Sequence, residues 1–344
     1  MKLDRILKLS IIILLLSAVL WALLTNDRTP TAVSDSQWLM GTLVEMRVFG
    51  SQSAMRGAFK RIEEVDHAMS RTHPDSYIYA INASAGESWV KVDQDTFHVI
   101  QASIEYAALT QGLFEPSIGP LVELWAIGTP RASLPSAEAV EERKQLINYH
   151  DIQLDVEKRQ VKLGAAGMGI DLGAIAKGYG ADAAAAFLRN QGVKSAFLNL
   201  GGNVYVLGAK PDGTPWRIGI QNPEAPRGTH MAVLEVEDTS IVTSGPYERY
   251  FIEDGIRYHH ILDPVSGYPA ESGLASVTIV SPSSTAADAL ATGVFILGME
   301  KGLELLENLD NVEGILVGDN RLVYVTSGLK GRLLSLAEGF ELYE

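Results

Sequence analysis

Three short segments hold residue types and spacings that could do chemistry. The first reads Gly167-Met168-Gly169-Ile170-Asp171-Leu172-Gly173-Ala174-Ile175-Ala176-Lys177-Gly178-Tyr179-Gly180. An apolar stretch ends in a carboxylate, small residues turn the chain, and a helix opens with Lys177 in reach. Small residues let a ligand approach the backbone, and the first turn of a helix favours anions. The pattern therefore suits a phosphate-bearing ligand. It is neither a P-loop nor a dinucleotide fingerprint, since the glycine spacing and the downstream acid are missing. The same residues also suit an N-cap Asp on a tightly packed helix.

The second segment is Ser284-Thr285-Ala286-Ala287-Asp288-Ala289-Leu290-Ala291-Thr292. Thr285 can cap a helix, and Asp288 and Thr292 stand four apart on one helical face. A carboxylate and a hydroxyl so placed offer two hard oxygen ligands to Mg²⁺. The alternative is an Asp facing the helix dipole and a Thr bonded to its own backbone. The third segment is Arg257-Tyr258-His259-His260-Ile261-Leu262-Asp263-Pro264. Adjacent residues of a strand face opposite sides, so one histidine faces the site and the other does not. A His beside a phosphoryl centre is a natural general base, although a surface His pair has the same sequence. Two glycines and two prolines between Gly112 and Leu121 frame Phe114 in a rigid loop. Thr243-Ser244-Gly245 and Asn199-Leu200-Gly201-Gly202-Asn203 are turns at strand ends. There is no nucleophile elbow and no HExxH.

The elements that must position these residues follow from periodicity. Helical spacing covers Ser53–Ser70, Asp95–Thr110, Ser136–Leu146 and Leu172–Asn190, the last stopped by Gly192. Met40–Phe49 alternates as a strand, and Ile152–Leu163 reads as a hairpin. Short strands are predicted at Ser195–Leu200, Val204–Gly208, Trp216–Ile220, Met231–Val236 and Tyr250–Ile261, the last turning at Glu253-Asp254-Gly255. A strand at Ala275–Ser281 leads into a helix at Thr285–Leu297. Another helix begins at Lys301, and a closing hairpin turns at Gly318-Asp319-Asn320. Strands that follow one another directly predict an α+β fold with antiparallel or mixed sheets and flanking helices.

The chain has 344 residues, 47% hydrophobic and 20% charged, which describes a globular protein with a real core. Its net charge of −14 argues against a nucleic-acid partner. It also means that any anionic substrate needs a metal or backbone dipoles to offset the charge. Zero cysteines exclude disulfides, thiol catalysis, Cys-ligated metals and an acylated N-terminal Cys. Lys2, Arg5 and Lys8 precede an apolar run from Ile11 to Leu24. This predicts a signal peptide or signal-anchor helix over residues 1–28, a Pro/Ser/Thr linker over 29–36 and one exported domain over 37–344. The expected location is the periplasmic side of the cell inner membrane, or the soluble periplasm if the signal is cleaved.

Together the segments resemble the FAD:protein FMN transferase family, known as the ApbE family. The resemblance runs from Met40 to about Leu334 and is carried by Met40-Gly41-Thr42, Phe114–Leu121, Asp171–Gly178, Asn199–Asn203, Thr243–Gly245, His260–Pro264 and Ala287–Thr292. It implies a fold related to the T-fold, and an exported enzyme that binds FAD and Mg²⁺. Such an enzyme attaches FMN by a phosphoester bond to a Thr or Ser of an acceptor protein and releases AMP. By this resemblance Met40, Leu113, Phe114, Glu115, Asp171, Lys177 and Leu262 contact FAD. Asp288, Thr292 and the backbone oxygen of Ala174 hold Mg²⁺, and His260 is the base. Relatives often carry an aromatic after a Met-Ser pair, where Met69-Ser70 here leads to Arg71-Thr72. Two other functions fit the same segments: an Mg²⁺-dependent FAD pyrophosphatase, or a non-enzymatic flavin-binding protein of the cell envelope. The last needs neither a metal nor a base.

Overall fold

The computed structural model describes residues 31–343, so the segment expected as a signal or anchor lies outside the described residues. β1 (Ala32–Leu39) and β2 (Thr42–Phe49) form an antiparallel hairpin. Met40 and Gly41 turn it, at φ 52° and 67°, the twist that a two-residue hairpin turn requires. Val44, Met46 and Val48 point inward while Leu43, Glu45 and Arg47 face out. The linker expected through Ser36 is corrected from Ala32 onward. Ala32–Ser36 pair residue for residue with β2, and the polar composition of an exposed edge strand made them look like a connector.

α1 (Gln52–Met69) is capped by Ser51 Oγ, which accepts from Ala54 N at 3.1 Å. Its buried stripe includes Met55, Phe59, Ile62, Val65 and Met69. Each such side chain stabilises the fold by roughly 1.5–3 kcal/mol. Next come α2 (Tyr77–Ala83), β3 (Val90–Lys91), α3 (Gln94–Leu109), α4 (Gly119–Trp125), α5 (Ala137–Lys144), and the hairpin of β4 (Ile152–Asp155) and β5 (Gln160–Leu163). α6 (Ala176–Asn190) starts four residues later than the expected Leu172. Leu172–Ile175 form a separate tight turn, in which Leu172 O accepts from Ile175 N and Ala176 N at 3.0 and 2.8 Å.

Eight strands follow with no helix between them: β6 (Ala196–Leu200), β7 (Asn203–Leu207), β8 (Trp216–Gln221), β9 (His230–Val236), β10 (Thr239–Ser244), β11 (Tyr250–Glu253), β12 (Ile256–His259) and β13 (Leu274–Ser281). Then come α7 (Ser284–Leu297), α8 (Met299–Glu307), β14 (Glu313–Gly318), β15 (Leu322–Val325), β16 (Leu333–Leu336) and β17 (Glu341–Leu342).

The main sheet runs β1-β2-β6-β7-β10-β13-β14-β15-β17 and is antiparallel up to its last, parallel pair. Smaller sheets are β16-β9-β8, β3-β5-β4 and β11-β12. The two-residue period of the strands separates two cores. Val44, Met46, Val48, Leu198, Tyr205 and Leu207 pack under α1 and α6, and Val242, Val277 and Ile279 pack under α7. The alternate positions Val206, Ile241, Val280 and Ile315 meet β8 and β9 on the other face. This is a mixed sheet with flanking helices, as the element pattern leads one to expect. Among the described residues no helix is long and apolar enough to cross a membrane.

Candidate active site

The contact between α6 and α7 builds the site. A Cβ on Gly178 would meet Ser284 O at 2.2 Å and Asp288 Cβ at 2.8 Å. Glycine alone permits this approach, and the Gly178 N–H donates to Asp288 Oδ2 at 2.9 Å. One turn further along α6, Asp182 holds the start of α7. Its carboxylate accepts from Ser284 N at 2.8 Å, Thr285 N at 2.9 Å and Thr285 Oγ1 at 2.6 Å. Ser283, rather than the expected Thr285, is the N-cap, accepting from Ala286 N at 3.2 Å.

Asp288 is 3% exposed. Among the described residues, Oδ1 has one partner, the Lys177 ammonium at 3.3 Å. That ammonium also donates to Gly173 O at 3.2 Å. Thr292 lies one turn beyond Asp288, half-buried, with Oγ1 3.5 Å from Ser244 Oγ. Ala174 stands in the turn that opens α6. Carboxylate, hydroxyl and carbonyl oxygens are hard donors, so this set fits a hard divalent cation better than a soft one.

Asp171 is held on both oxygens, by Arg71 Nε at 3.0 Å and by Gly173 N at 2.8 Å. The Met40 N–H donates to Asp66 Oδ2 at 2.6 Å. Its thioether lies against Gly180 of α6, with Sδ 3.1 Å from the place a Cβ would take. Gly41 O accepts from Arg249 Nη2 at 3.3 Å. Arg249 O in turn accepts from His260 N at 3.1 Å and faces His260 Nδ1 at 3.2 Å. Met40, Arg249 and His260 are thereby tied together beside α6.

His259 and His260 face opposite ways, as strand geometry predicts. His259 is buried, edge-on to Phe295 at 5.9 Å. His260 is half-buried, and burial together with the Arg249 cation pushes it down to about 4. An unperturbed His titrates near pH 6.5, so burial and its neighbours hold this ring neutral well below that.

Of the remaining expected FAD contacts, Phe114, Glu115 and Leu262 have their side chains buried in the fold. Phe114 is 3% exposed and edge-on to Tyr106, with its Cβ 3.2 Å from the space a Cβ on Gly293 would fill. Both Glu115 oxygens are engaged: Oε1 accepts from Ser117 N and Oγ at 2.8 and 2.7 Å, and Oε2 from Tyr149 N at 3.1 Å. Burial pushes this carboxyl up against the opposing pull of its donors. Leu262 packs with Leu121, Trp125 and Val140. Leu113, next to Phe114 in the chain, is half-buried.

Sequence reasoning gave no role to Asp182 or Arg249, placed Ser244 only within a strand-end turn that the family resemblance uses, and marked Arg71 only as standing where relatives often carry an aromatic. Asp182 and Arg249 carry no local signal of their own, and what all four residues hold is distant in sequence. The partners of Arg71, Asp182, Ser244 and Arg249 are 100, 103, 48 and 11 residues away.

Residues 40–316 match the model of the ApbE family. An FAD:protein FMN transferase from Klebsiella pneumoniae is 37% identical over 312 residues, covering 90% of this chain and 97% of that protein. One from Treponema pallidum is 35% identical over 328 residues, covering 90% and 91%. The crystal structure of the ApbE protein from Thermotoga maritima superposes with a TM-score of 0.81 at 31% identity, covering 88% of this chain and 99% of that one.

Proposed function

The chain belongs to the ApbE family, and we propose that it works by holding Mg²⁺ on Asp288, Thr292 and the Ala174 carbonyl and by delivering FMN to a Thr or Ser hydroxyl. The enzyme is a transferase that moves FMN from FAD to a protein, as its relatives are named for doing. In the proposed reaction, the bond between the FMN phosphorus and the bridging oxygen of FAD breaks. A bond forms from that phosphorus to the acceptor Oγ, and AMP leaves with the bridging oxygen. The hydroxyl proton passes to a base.

When bound, Mg²⁺ supplies charge neutralisation to the pyrophosphate. The protein's own groups do the rest. Lys177, at the opening turn of α6, adds a cation for phosphate oxygens. Met40 and Asp171 border the nucleotide, Leu113 flanks it, and Phe114, Glu115 and Leu262 shape its pocket from behind. A carbonyl only accepts, so His260 Nδ1 carries the proton that faces Arg249 O. That leaves Nε2 with a free lone pair for the acceptor hydroxyl.

One observation carries this reading: a buried carboxylate whose Oδ1 meets, among the described residues, only a lysine, at a helix crossing closed enough to exclude any side chain on Gly178. A pure flavin binder has no need of it. The test is incubation with FAD, Mg²⁺ and an acceptor fragment, followed by mass spectrometry. FMN added to a Thr or Ser supports the proposal; AMP and free FMN without adduct make the protein an FAD pyrophosphatase. The basic-then-apolar N-terminus supports a place on the periplasmic side of the inner membrane, or in the soluble periplasm after cleavage. Fractionation of the full chain, with sequencing of its N-terminus, distinguishes the two.

A further inference from the structure

His67 and His73 have their ring centroids 4.2 Å apart. His67, His73 and Asp75 each offer one ligand atom, and these three atoms lie within 4.8 Å of one another. We propose that these three residues form a second metal site, for a borderline divalent ion of the Zn²⁺ class.

The donor chemistry separates this site from the one at Asp288. Two imidazoles and a carboxylate favour Zn²⁺, Ni²⁺ or Cu²⁺ over Mg²⁺, which prefers oxygen ligands throughout. Three protein ligands leave open positions for water. The histidines come from different elements that meet here. His67 sits in the last turn of α1, where the helix dipole favours a cation. His73 and Asp75 lie on the loop from Ser70 to Ser76.

That loop is fixed before any ion arrives. Ser70 Oγ accepts from Thr72 N at 3.3 Å and from His73 N at 3.1 Å, and the Ser76 hydroxyl donates to Ser70 O. Pro74 stiffens the turn between the two ligands. His73 Nδ1 accepts from Asp75 N at 3.3 Å; a metal takes the lone pair of a neutral imidazole, so binding the ion exchanges this long contact for a metal bond at Nδ1, or moves the proton to Nδ1 and binds through Nε2. Side-chain rotation closes the remaining gap to the spacing that ~2 Å metal bonds require.

The ion would fasten the end of α1 to the loop carrying Arg71, whose Nε holds Asp171 at 3.0 Å. The proposal does not rest on the transferase reading, and its test reads metal rather than turnover.

The full-length protein is stripped with chelator and titrated with Zn²⁺ against a chromogenic competitor in excess Mg²⁺. One equivalent should bind tightly. The His67→Gln/His73→Gln double variant should bind it more weakly by at least the ~10–100-fold that loss of even an outer-shell partner costs. Cu²⁺ loaded at one equivalent should show two nitrogen ligands by electron paramagnetic resonance, falling to one in His73→Gln. Zn²⁺ should raise the melting temperature of the parent and not of the double variant. His230→Gln, on an exposed strand position, should change none of this. If the double variant folds poorly, Asp75→Asn takes its place and should also weaken Zn²⁺ binding. Unchanged Zn²⁺ affinity in these variants, or a single-nitrogen Cu²⁺ signal in the parent, overturns the proposal.

Discussion

His259 and His260 carry their protons on opposite ring nitrogens. His259 Nε2 faces Ala270 O at 3.1 Å, and its Nδ1 accepts from Ile261 N at 3.3 Å. His260 faces Arg249 O through Nδ1 at 3.2 Å. A carbonyl can only accept, so the proton sits on Nε2 in the first ring and on Nδ1 in the second. Both nitrogens of His259 are spent inside the fold, whereas His260 keeps Nε2 for chemistry.

The buried ring therefore does structural work. His259→Gln should lower stability by about 1–3 kcal/mol, through a lost buried bond and lost packing on Phe295. Urea denaturation measures this, and a variant as stable as the parent would remove the assignment.

Gly178→Ala should be damaging although the change is one methyl. The added carbon points at the backbone oxygen of Ser284, 2.2 Å away, and a backbone in a capped helix cannot step aside. Overpacking typically costs ~1–3 kcal/mol. Separating α6 from α7 also moves Lys177 away from Asp288, so activity should fall with stability. Thermal melts and FAD turnover, read together, check both.

Where a residue's partner is its neighbour in sequence, the site was legible. The Asp288/Thr292 face follows from four-residue spacing, and the opposite facing of the two histidines follows from strand geometry. The hairpin at Gly318-Asp319-Asn320 was legible in the same way. What stayed hidden depends on distant pairing. Asp182 reads as a surface acid of α6 until α7 is docked on it. β1 reads as a linker because an edge strand with both faces wet shows no apolar alternation. α4 was masked by Gly119 and Pro120, which open a helix as readily as they break one.

Asp288→Asn isolates the carboxylate's charge. The amide oxygen can still accept from Gly178 N–H, whereas Asp288→Ala would leave that buried donor unpaired at a cost of ~1–3 kcal/mol. FAD cleavage should fall by about 10²-fold or more if the charge holds the metal. The variant should melt close to the parent and demand more Mg²⁺. Full cleavage at low Mg²⁺ by a folded Asp288→Asn protein would end the metal assignment.

The last prediction concerns the pH at which transfer fails. A base must be neutral to accept a proton, so its acid limb lies at its own pKa. Burial is the largest cause lowering His260, followed by the Arg249 cation, with His259 and Lys177 adding to it and the bond to Arg249 O opposing. These place its titration at about 4, not near the ~6.5 of an unperturbed ring. Transfer by the parent, measured as kcat/KM with Mg²⁺ saturating, should stay flat from neutrality down to about pH 5. Arg249→Gln removes the cation and leaves the burial. Its acid limb should move up from about 4 yet remain below ~6.5. Because Arg249 Nη2 also holds Gly41 O, the overall rate will drop as well, so the informative quantity is the position of the limb and not its height. His260→Gln should lose ~10²–10⁴-fold in transfer while FAD still binds, and its residual rate should show no such limb. If the parent's limb lies near neutrality, or Arg249→Gln shifts it downward, the proton goes elsewhere and His260 is not the base.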